Sequence, residues 1–292
     1  ARDAHPDNLL WQGAHARWAV RVGEALLANP DRPSALPRLS REASNLLAAA
    51  TNARGLGDPD LSARAALAMA PHLRLRGPIG TLQELLDDAL IDTLSPDLRA
   101  RALLARGEER EHCGSANDAI ADLYRARRSA PHGPNQVRID STIARLQARQ
   151  GLSADAETRL LAAISAANDL GDPALAASVQ ANYGNMLNTW GRHADAITHL
   201  RAALPPLRAA GHLDAEARAL GGLGSALRAL GDPAGAAHHL TEAQAIFSAL
   251  HDRRGEALCQ SHLGHLAAAS GQTTTAQNHW QAALASHIDI GN

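Results

Sequence analysis

The sequence contains no lysine, so all 28 of its basic residues are arginine. This absence excludes a Walker A phosphate loop, a Schiff-base lysine and a Ser-Lys catalytic dyad, because each of them needs the lysine amine. Aromatic residues make up only 2% of the 292 residues, which argues against stacking of single-stranded bases. The net charge of -2 excludes the overall basic field that holds nucleic acid nonspecifically.

Cysteines and long apolar runs are equally scarce. Cys113 and Cys259 are far apart in the sequence and offer neither a zinc-binding spacing nor a disulfide framework. A reducing compartment suits such isolated thiols, so we expect a cytoplasmic protein. No apolar run approaches the roughly 18 residues that a membrane span requires, and we expect no membrane partner.

Alanine, leucine and arginine dominate what is present, and all three favour helices. β-Branched and aromatic residues, which favour strands, are few. A core of alanine and leucine buries little area per residue. The composition therefore predicts an all-α protein built from many thin helix–helix contacts rather than one thick core.

Glycine recurs at regular intervals of 40 residues, and repeats of this length indicate stacked structural units. Three series share the interval and stay in phase, and the first continues towards the N-terminus at steps of 37 residues. The series are Gly151, Gly191, Gly231 and Gly271, extended by Gly114 and Gly77; Gly184, Gly224 and Gly264; and Gly171, Gly211 and Gly291, with His251 in the remaining place.

Each period predicts a helical hairpin, as residues 172–211 illustrate. Asp172 and Pro173 predict an N-cap and a first helical residue, and Gly191 predicts a left-handed C-cap after helix A. Helix B follows with an apolar stripe at helical spacing. Gly184 and Ala196 are small enough to lie where the two helices approach most closely. One hairpin cannot bury its apolar face, but stacked hairpins can, and the result is a solenoid.

The small and large residues of these hairpins resemble the tetratricopeptide repeat (TPR) between about 57 and 291. The resemblance implies a right-handed superhelical solenoid of about six repeats over residues 57–292. The copy at 57–94 matches least well, since Pro71 is expected to kink or end its first helix. The matching triplets are Ala119, Leu123 and Ala126; Ala156, Leu160 and Ala163; Ala196, Leu200 and Ala203; Ala236, Leu240 and Ala243; and Ala276, Trp280 and Ala283.

Residues 1–56 lie outside the repeat and predict two helices, Leu9 to Ala28 and Leu36 to Arg54. The stretch from Leu39 to Ala50 is similar to the entry into the TPR array of STAND-type bacterial regulators, including Streptomyces antibiotic regulatory protein (SARP) types. That resemblance implies a sensor domain that follows nucleotide-binding and DNA-binding domains, in an actinobacterial regulator of antibiotic biosynthesis. Residues 1–6 contain no start methionine and do not resemble a signal peptide. We therefore expect a piece of a longer protein with those domains upstream.

One stripe of each helix A is predicted to line the concave groove of the solenoid. This stripe carries seven arginines and only two glutamates. Arginine binds carboxylates bidentately. The groove is therefore expected to bind a protein or peptide, particularly one bearing acidic groups. Asparagines at matching positions hydrogen-bond the peptide backbone in several peptide-binding TPRs. The alternative is that the arginines are solvated and pair with nearby carboxylates. The candidate binding residues are Arg101, Arg138, Arg145, Asn185, Asn188, Arg218, Ser225, Arg228 and His265.

Other motifs favour structural interpretations. His238, His239 and Glu242 have a spacing that can supply metal ligands, but we interpret these histidines as solvated or hydrogen-bonded. The glycine cluster at 221–224 lies inside a predicted helix, so helix packing explains it better than dinucleotide binding. No nucleophile, base and orienting group occur together, so we predict no enzyme, no metal and no cofactor.

The sequence thus favours a ligand- or protein-binding TPR sensor of a bacterial transcriptional regulator. The alternative is a stand-alone TPR adaptor or assembly scaffold. No polar capping helix follows the last repeat of this sequence, so we expect its final face either to drive self-association or to be covered by further residues.

Overall fold

The computed structural model describes residues 6–28, 32–76, 80–89, 93–130 and 132–289. Fourteen helices and no strand occur in these ranges, and none of these helices has the length and apolarity to cross a membrane. Gly77, Pro131 and Gly291 lie outside the described residues. The helices are α1 Pro6–Leu27, α2 Arg32–Gly55, α3 Pro59–Arg76, α4 Thr81–Ala89, α5 Pro96–His112, α6 Ala116–Ser129, α7 Pro134–Arg149, α8 Ser153–Asp169, α9 Pro173–Thr189, α10 His193–Ala209, α11 Leu213–Ala229, α12 Pro233–Leu250, α13 Arg253–Ala269 and α14 Thr273–Asp289.

The chain divides into two compact units, residues 1–146 and 147–292, and the division falls within α7. In the first unit α1, α2 and α3 share one apolar core around Leu46 and Ala65. A second core joins α5, α6 and α7 through Leu103, Leu123 and Ile143. The predicted boundary at residue 56 falls between α2 and α3, which pack together, and we retain it only as a proposed start of the repeats.

The helix α3 runs through Pro71 and continues to Arg76. Of the two alternatives expected at Pro71, a kink or an early end of the helix, the early end is therefore wrong. Ala66 and Ala70 of α3 are buried against Leu82 and Leu86 of α4. Tertiary packing of this kind can hold a helix together across the backbone hydrogen bond that proline removes.

The first unit also buries a network of charges between α4, α5 and α6. Asp122 has a relative exposure of only 1%. It accepts hydrogen bonds from Nε and Nη2 of Arg106 at 2.8 and 2.6 Å and from Nη1 of Arg110 at 2.8 Å. Asp87 pairs with both arginines from α4. A buried carboxylate is tolerated here because arginine N–H groups satisfy its oxygens.

In the second unit, α8 is followed by three hairpins, α9/α10, α11/α12 and α13/α14. The turn glycines have positive φ, for example 77° at Gly191 and 80° at Gly231, which confirms the predicted left-handed turns. His251 occupies the place that Gly171 and Gly211 hold in the preceding turns, with φ of 58°. It is the one described residue other than glycine with a positive φ, and an L-residue pays an energetic cost in that conformation.

Close helix contact inside each hairpin depends on a glycine. A Cβ at Gly184 would lie 2.7 Å from Leu200 Cγ, and one at Gly224 would lie 2.6 Å from Leu240 Cγ. Real carbon atoms do not approach so closely. These distances show that Gly184 and Gly224 lie at close contacts between helices A and B, as the sequence predicted for Gly184.

Candidate functional site: the A-helix face

We call the groove-lining stripe predicted for the first helix of each hairpin the A-face. In the first unit, several A-face arginines pair with carboxylates. Arg64 donates two hydrogen bonds to Glu24 at 2.8 and 2.7 Å, and this contact lowers the pKa of the Glu24 carboxyl. Arg74 lies 2.6 Å from a carboxylate oxygen of Glu108.

The three candidate residues of the first unit differ in their surroundings. Arg145 forms an ion pair with the buried carboxylate of Glu111. Arg101 is exposed and lies 4.0 Å from Asp97, one helical turn earlier. Arg138 is exposed, and its backbone carbonyl accepts a hydrogen bond from Thr142. Much of the positive charge expected on this part of the A-face is therefore neutralised within the protein.

The two asparagines of the second unit face the next hairpin. Asn185 Nδ2 donates to the backbone carbonyl of Arg218 at 3.4 Å, and Asn188 Nδ2 donates to that of Gly222 at 3.3 Å. His193 Nδ1 donates to the Oδ1 atom of Asn188 at 2.5 Å. Both amides thus join α9 to α11.

The absence of a side chain at Gly222 permits this arrangement. A Cβ there would lie 1.8 Å from Asn185 Oδ1, so a side chain at position 222 and the observed position of this oxygen are mutually exclusive. The backbone carbonyls of Arg218 and Gly222 lie within the helix α11, and each accepts a hydrogen bond from an asparagine of α9. A peptide that used these asparagines would have to displace contacts that connect adjacent hairpins.

The remaining candidate residues lie along α11 and α13. Arg218 is exposed and pairs with Asp214 of its own helix at 2.6 Å. Ser225 is half-buried, and Arg228 is exposed. Within the part of the chain that the structure describes, no carboxylate forms an ion pair with Arg228. His265 is exposed and contacts Trp280 edge to face, with ring centroids 5.5 Å apart.

His262, which was not among the predicted groove residues, also belongs to this part of the A-face. Its Nδ1 atom is buried and has no hydrogen-bond partner. Burial lowers the pKa of the imidazole, and the nearby charges of Arg228 and His265 lower it further. The signal in the sequence was the interval of 40 residues. Arg228 and His262 occupy the positions that Asn188 and Gly222 hold one repeat earlier, and those two residues are joined by a hydrogen bond.

Arg228, His262 and His265 form a group that we call the basic cluster. It combines a guanidinium without a carboxylate partner and a buried imidazole nitrogen without a hydrogen bond. An anion bound there could accept charge-assisted hydrogen bonds from the guanidinium of Arg228. The cluster is the part of the A-face whose chemistry is least satisfied by the protein itself.

A scan against protein-family models finds no match, and a search of curated proteins also finds none. Solved structures do resemble the chain. A Rap protein complexed with competence and sporulation factor has a TM-score of 0.65 and 17% identity, covering 92% of this chain and 78% of that one. The apo form of RapI has a TM-score of 0.55 and 11% identity, covering 78% and 98%.

A STAND protein with a TPR sensor from Pyrococcus horikoshii is also similar, with a TM-score of 0.62 and 16% identity. The likeness covers 91% of this chain and 42% of that protein. Together these similarities confirm the predicted all-α, TPR-like solenoid fold. At such low identities they establish the fold alone.

Proposed function

We propose that this chain is a TPR interaction domain that binds an acidic or carboxylate-bearing protein segment through the A-face of its second unit. The basic cluster is the observation that carries the proposal. Arginine forks and imidazoles recognise carboxylates through charge-assisted hydrogen bonds. Ser225 and Arg218 flank the cluster on α11 and extend the polar surface that an elongated ligand would cross.

The contrast between the two units supports this location. In the first unit, the A-face residues Arg64, Arg74 and Arg145 already have glutamate partners. A ligand at these three arginines would have to replace an intramolecular ion pair. Arg138 of the first unit is exposed and has no ion pair among the described residues, but no buried unsatisfied imidazole accompanies it as His262 accompanies Arg228. At Arg228 no such exchange is needed.

Binding of an acidic peptide tests the site. Isothermal titration with a glutamate-rich peptide and its glutamine-substituted counterpart should show binding of the acidic peptide only. Arg228→Ala should weaken that binding about tenfold, as expected for loss of a charge-assisted contact of about 1.5 kcal/mol. Arg253→Ala is the matched control, because Arg253 is an exposed arginine that pairs with Glu256 on the first turn of α13. Equal affinities in Arg228→Ala and the unmodified protein would refute the assignment.

We further propose that the domain serves as the sensor of a bacterial STAND-type transcriptional regulator and has no catalytic activity of its own. The similarity to a STAND protein with a TPR sensor supports this context. Ligand binding would act by preferring one of two conformations of the parent protein, since only differential affinity shifts an equilibrium.

The adaptor function is the competing possibility, and the sequence encoded upstream of residue 1 separates the two. A nucleotide-binding domain there, together with ligand-dependent ATP turnover or oligomerisation of the full protein, would support the regulator. An open reading frame that starts at this array would refute the regulator and favour the adaptor.

A further inference from the structure

A histidine recurs at the same position of helix B in all three hairpins of the second unit. These residues are His199, His239 and His279, at intervals of 40. His199 Nδ1 pairs with Gln180 Nε2 at 3.4 Å, and His279 Nδ1 donates to Gln260 Oε1 at 2.6 Å. In both hairpins, a glutamine 19 residues earlier on helix A therefore satisfies the imidazole.

The middle hairpin lacks that glutamine. Leu220 stands 19 residues before His239, where the other hairpins have Gln180 and Gln260. The Nδ1 atom of His239 is consequently buried without a hydrogen-bond partner. An unsatisfied buried nitrogen is costly, and its presence calls for an explanation.

The same hairpin carries two further ligand groups beside this nitrogen. Glu242 Oε2 lies 3.6 Å from His239 Nδ1, too far for a hydrogen bond. The rings of His238 and His239 have centroids 5.0 Å apart. One ligand atom from each of the three residues lies within 4.8 Å of the others.

Neither additional group occurs in the flanking hairpins. Thr198 and Asn278 occupy the position of His238, and Ala202 and Ala282 occupy that of Glu242. The concentration of ligand groups around His239 is therefore a property of one hairpin and not of the repeat pattern.

We propose that His238, His239 and Glu242 on α12 form a surface site for a borderline transition-metal ion such as Zn²⁺. Imidazole nitrogen and carboxylate oxygen are ligands of that ion class, at about 2.0–2.2 Å. Ligands at tetrahedral angles around one ion lie about 3.4 Å apart, so the 3.6 Å separation of His239 Nδ1 and Glu242 Oε2 already fits. His238 is exposed and can close the remaining distance by side-chain rotation.

The surroundings of Glu242 keep one of its oxygens available. Its Oε1 atom accepts a hydrogen bond from Arg208, which leaves Oε2 facing His239. Arg208 also donates to Glu216 at 2.7 Å, so its own position is fixed by a second carboxylate. Such outer contacts orient a ligand carboxylate in known metal sites. Three protein ligands would leave a coordination position open to water or to a group from another molecule.

Zinc titration of the whole chain tests the proposal. Isothermal titration of the chelator-treated protein should show saturable binding of one equivalent of Zn²⁺ and no comparable binding of Mg²⁺, which prefers oxygen ligands. His239→Gln and Glu242→Gln should each weaken Zn²⁺ binding at least about tenfold, since even outer-shell changes cost 10–100-fold in affinity.

His199→Gln and His279→Gln are the matched controls, because they remove the same residue from the same position of the flanking hairpins. They should leave Zn²⁺ affinity unchanged. His238→Asn, which copies Asn278 at an exposed position, should weaken binding without affecting folding by circular dichroism. Absence of saturable Zn²⁺ binding, unchanged affinity in the three site variants, or an equal loss in the two controls would overturn the proposal.

Discussion

Substitution of one glycine by alanine should test whether the repeat glycines set the distance between helices. Gly224 and Gly221 lie one turn apart on α11, and both are buried. A Cβ at Gly224 would lie 2.6 Å from Leu240 Cγ and 3.1 Å from the backbone oxygen of Ala236. A Cβ at Gly221 would meet no atom within 4 Å. The two positions therefore receive the same chemical change in different surroundings.

The expected energies have opposite signs. Replacing glycine by alanine within a helix stabilises it by about 0.5–1 kcal/mol. At Gly221 nothing opposes that gain. At Gly224 the new methyl group is about 1 Å closer to Leu240 than carbon atoms tolerate, and the Ala236 oxygen cannot rotate away. Overpacking of this kind costs about 1–3 kcal/mol. We expect a net destabilisation by Gly224→Ala of about 0.5–2 kcal/mol.

Urea unfolding monitored by circular dichroism measures both effects. The midpoint should rise for Gly221→Ala and fall for Gly224→Ala, with similar slopes in all three proteins. The difference between the two variants isolates the packing cost, because the change in helix propensity is common to both. If the two midpoints move by the same amount in the same direction, glycine at 224 is not required for close packing of α11 on α12.

Three further changes have definite expected outcomes. His251→Gly should raise the melting temperature, with a gain of about 0.5–1 kcal/mol, because the left-handed conformation penalises an L-residue; a lower melting temperature would contradict this. Asp122→Ala should cost about 3–5 kcal/mol by removing the buried carboxylate that accepts hydrogen bonds from Arg106 and Arg110, whereas Asp87→Ala, at a more exposed carboxylate, should cost clearly less in the same denaturation assay. His262 has a pKa lowered from 6.5 by burial and neighbouring cations, so its contribution to stability is present above that pH and is lost as pH falls. His262→Gln should therefore reduce the fall in melting temperature between pH 7 and pH 5, and an unchanged fall would exclude this residue as its source.

The sequence predicted the repeat well because the features that define it are local. A turn glycine such as Gly191 needs only its own φ angle, and Asp172 caps α9 through a hydrogen bond to the amide of Leu175. The interval of 40 then places Gly184 and Gly224 at the same contact in consecutive hairpins. The continuity of α3 through Pro71 was missed because packing on neighbouring helices outweighs a local preference.

The candidate site was less accessible to sequence reasoning because it depends on partners from distant parts of the chain. Glu24 precedes Arg64 by 40 residues, yet its carboxylate neutralises that arginine. Nothing local to Asn188 indicated that its amide would bond the backbone at Gly222. The unsatisfied Nδ1 atom of His239 depends on Leu220, which replaces the glutamine of the flanking hairpins and lies 19 residues away on another helix.

The hairpins of the second unit have a consequence for how such a chain can evolve. Within its described residues, each hairpin packs mainly on the elements next to it in sequence, and the same kind of left-handed turn joins each hairpin to the next. Gene duplication of one 40-residue module would therefore create a new, already compatible contact on each side. Individual modules could then diverge separately, as the one bearing Leu220 has done.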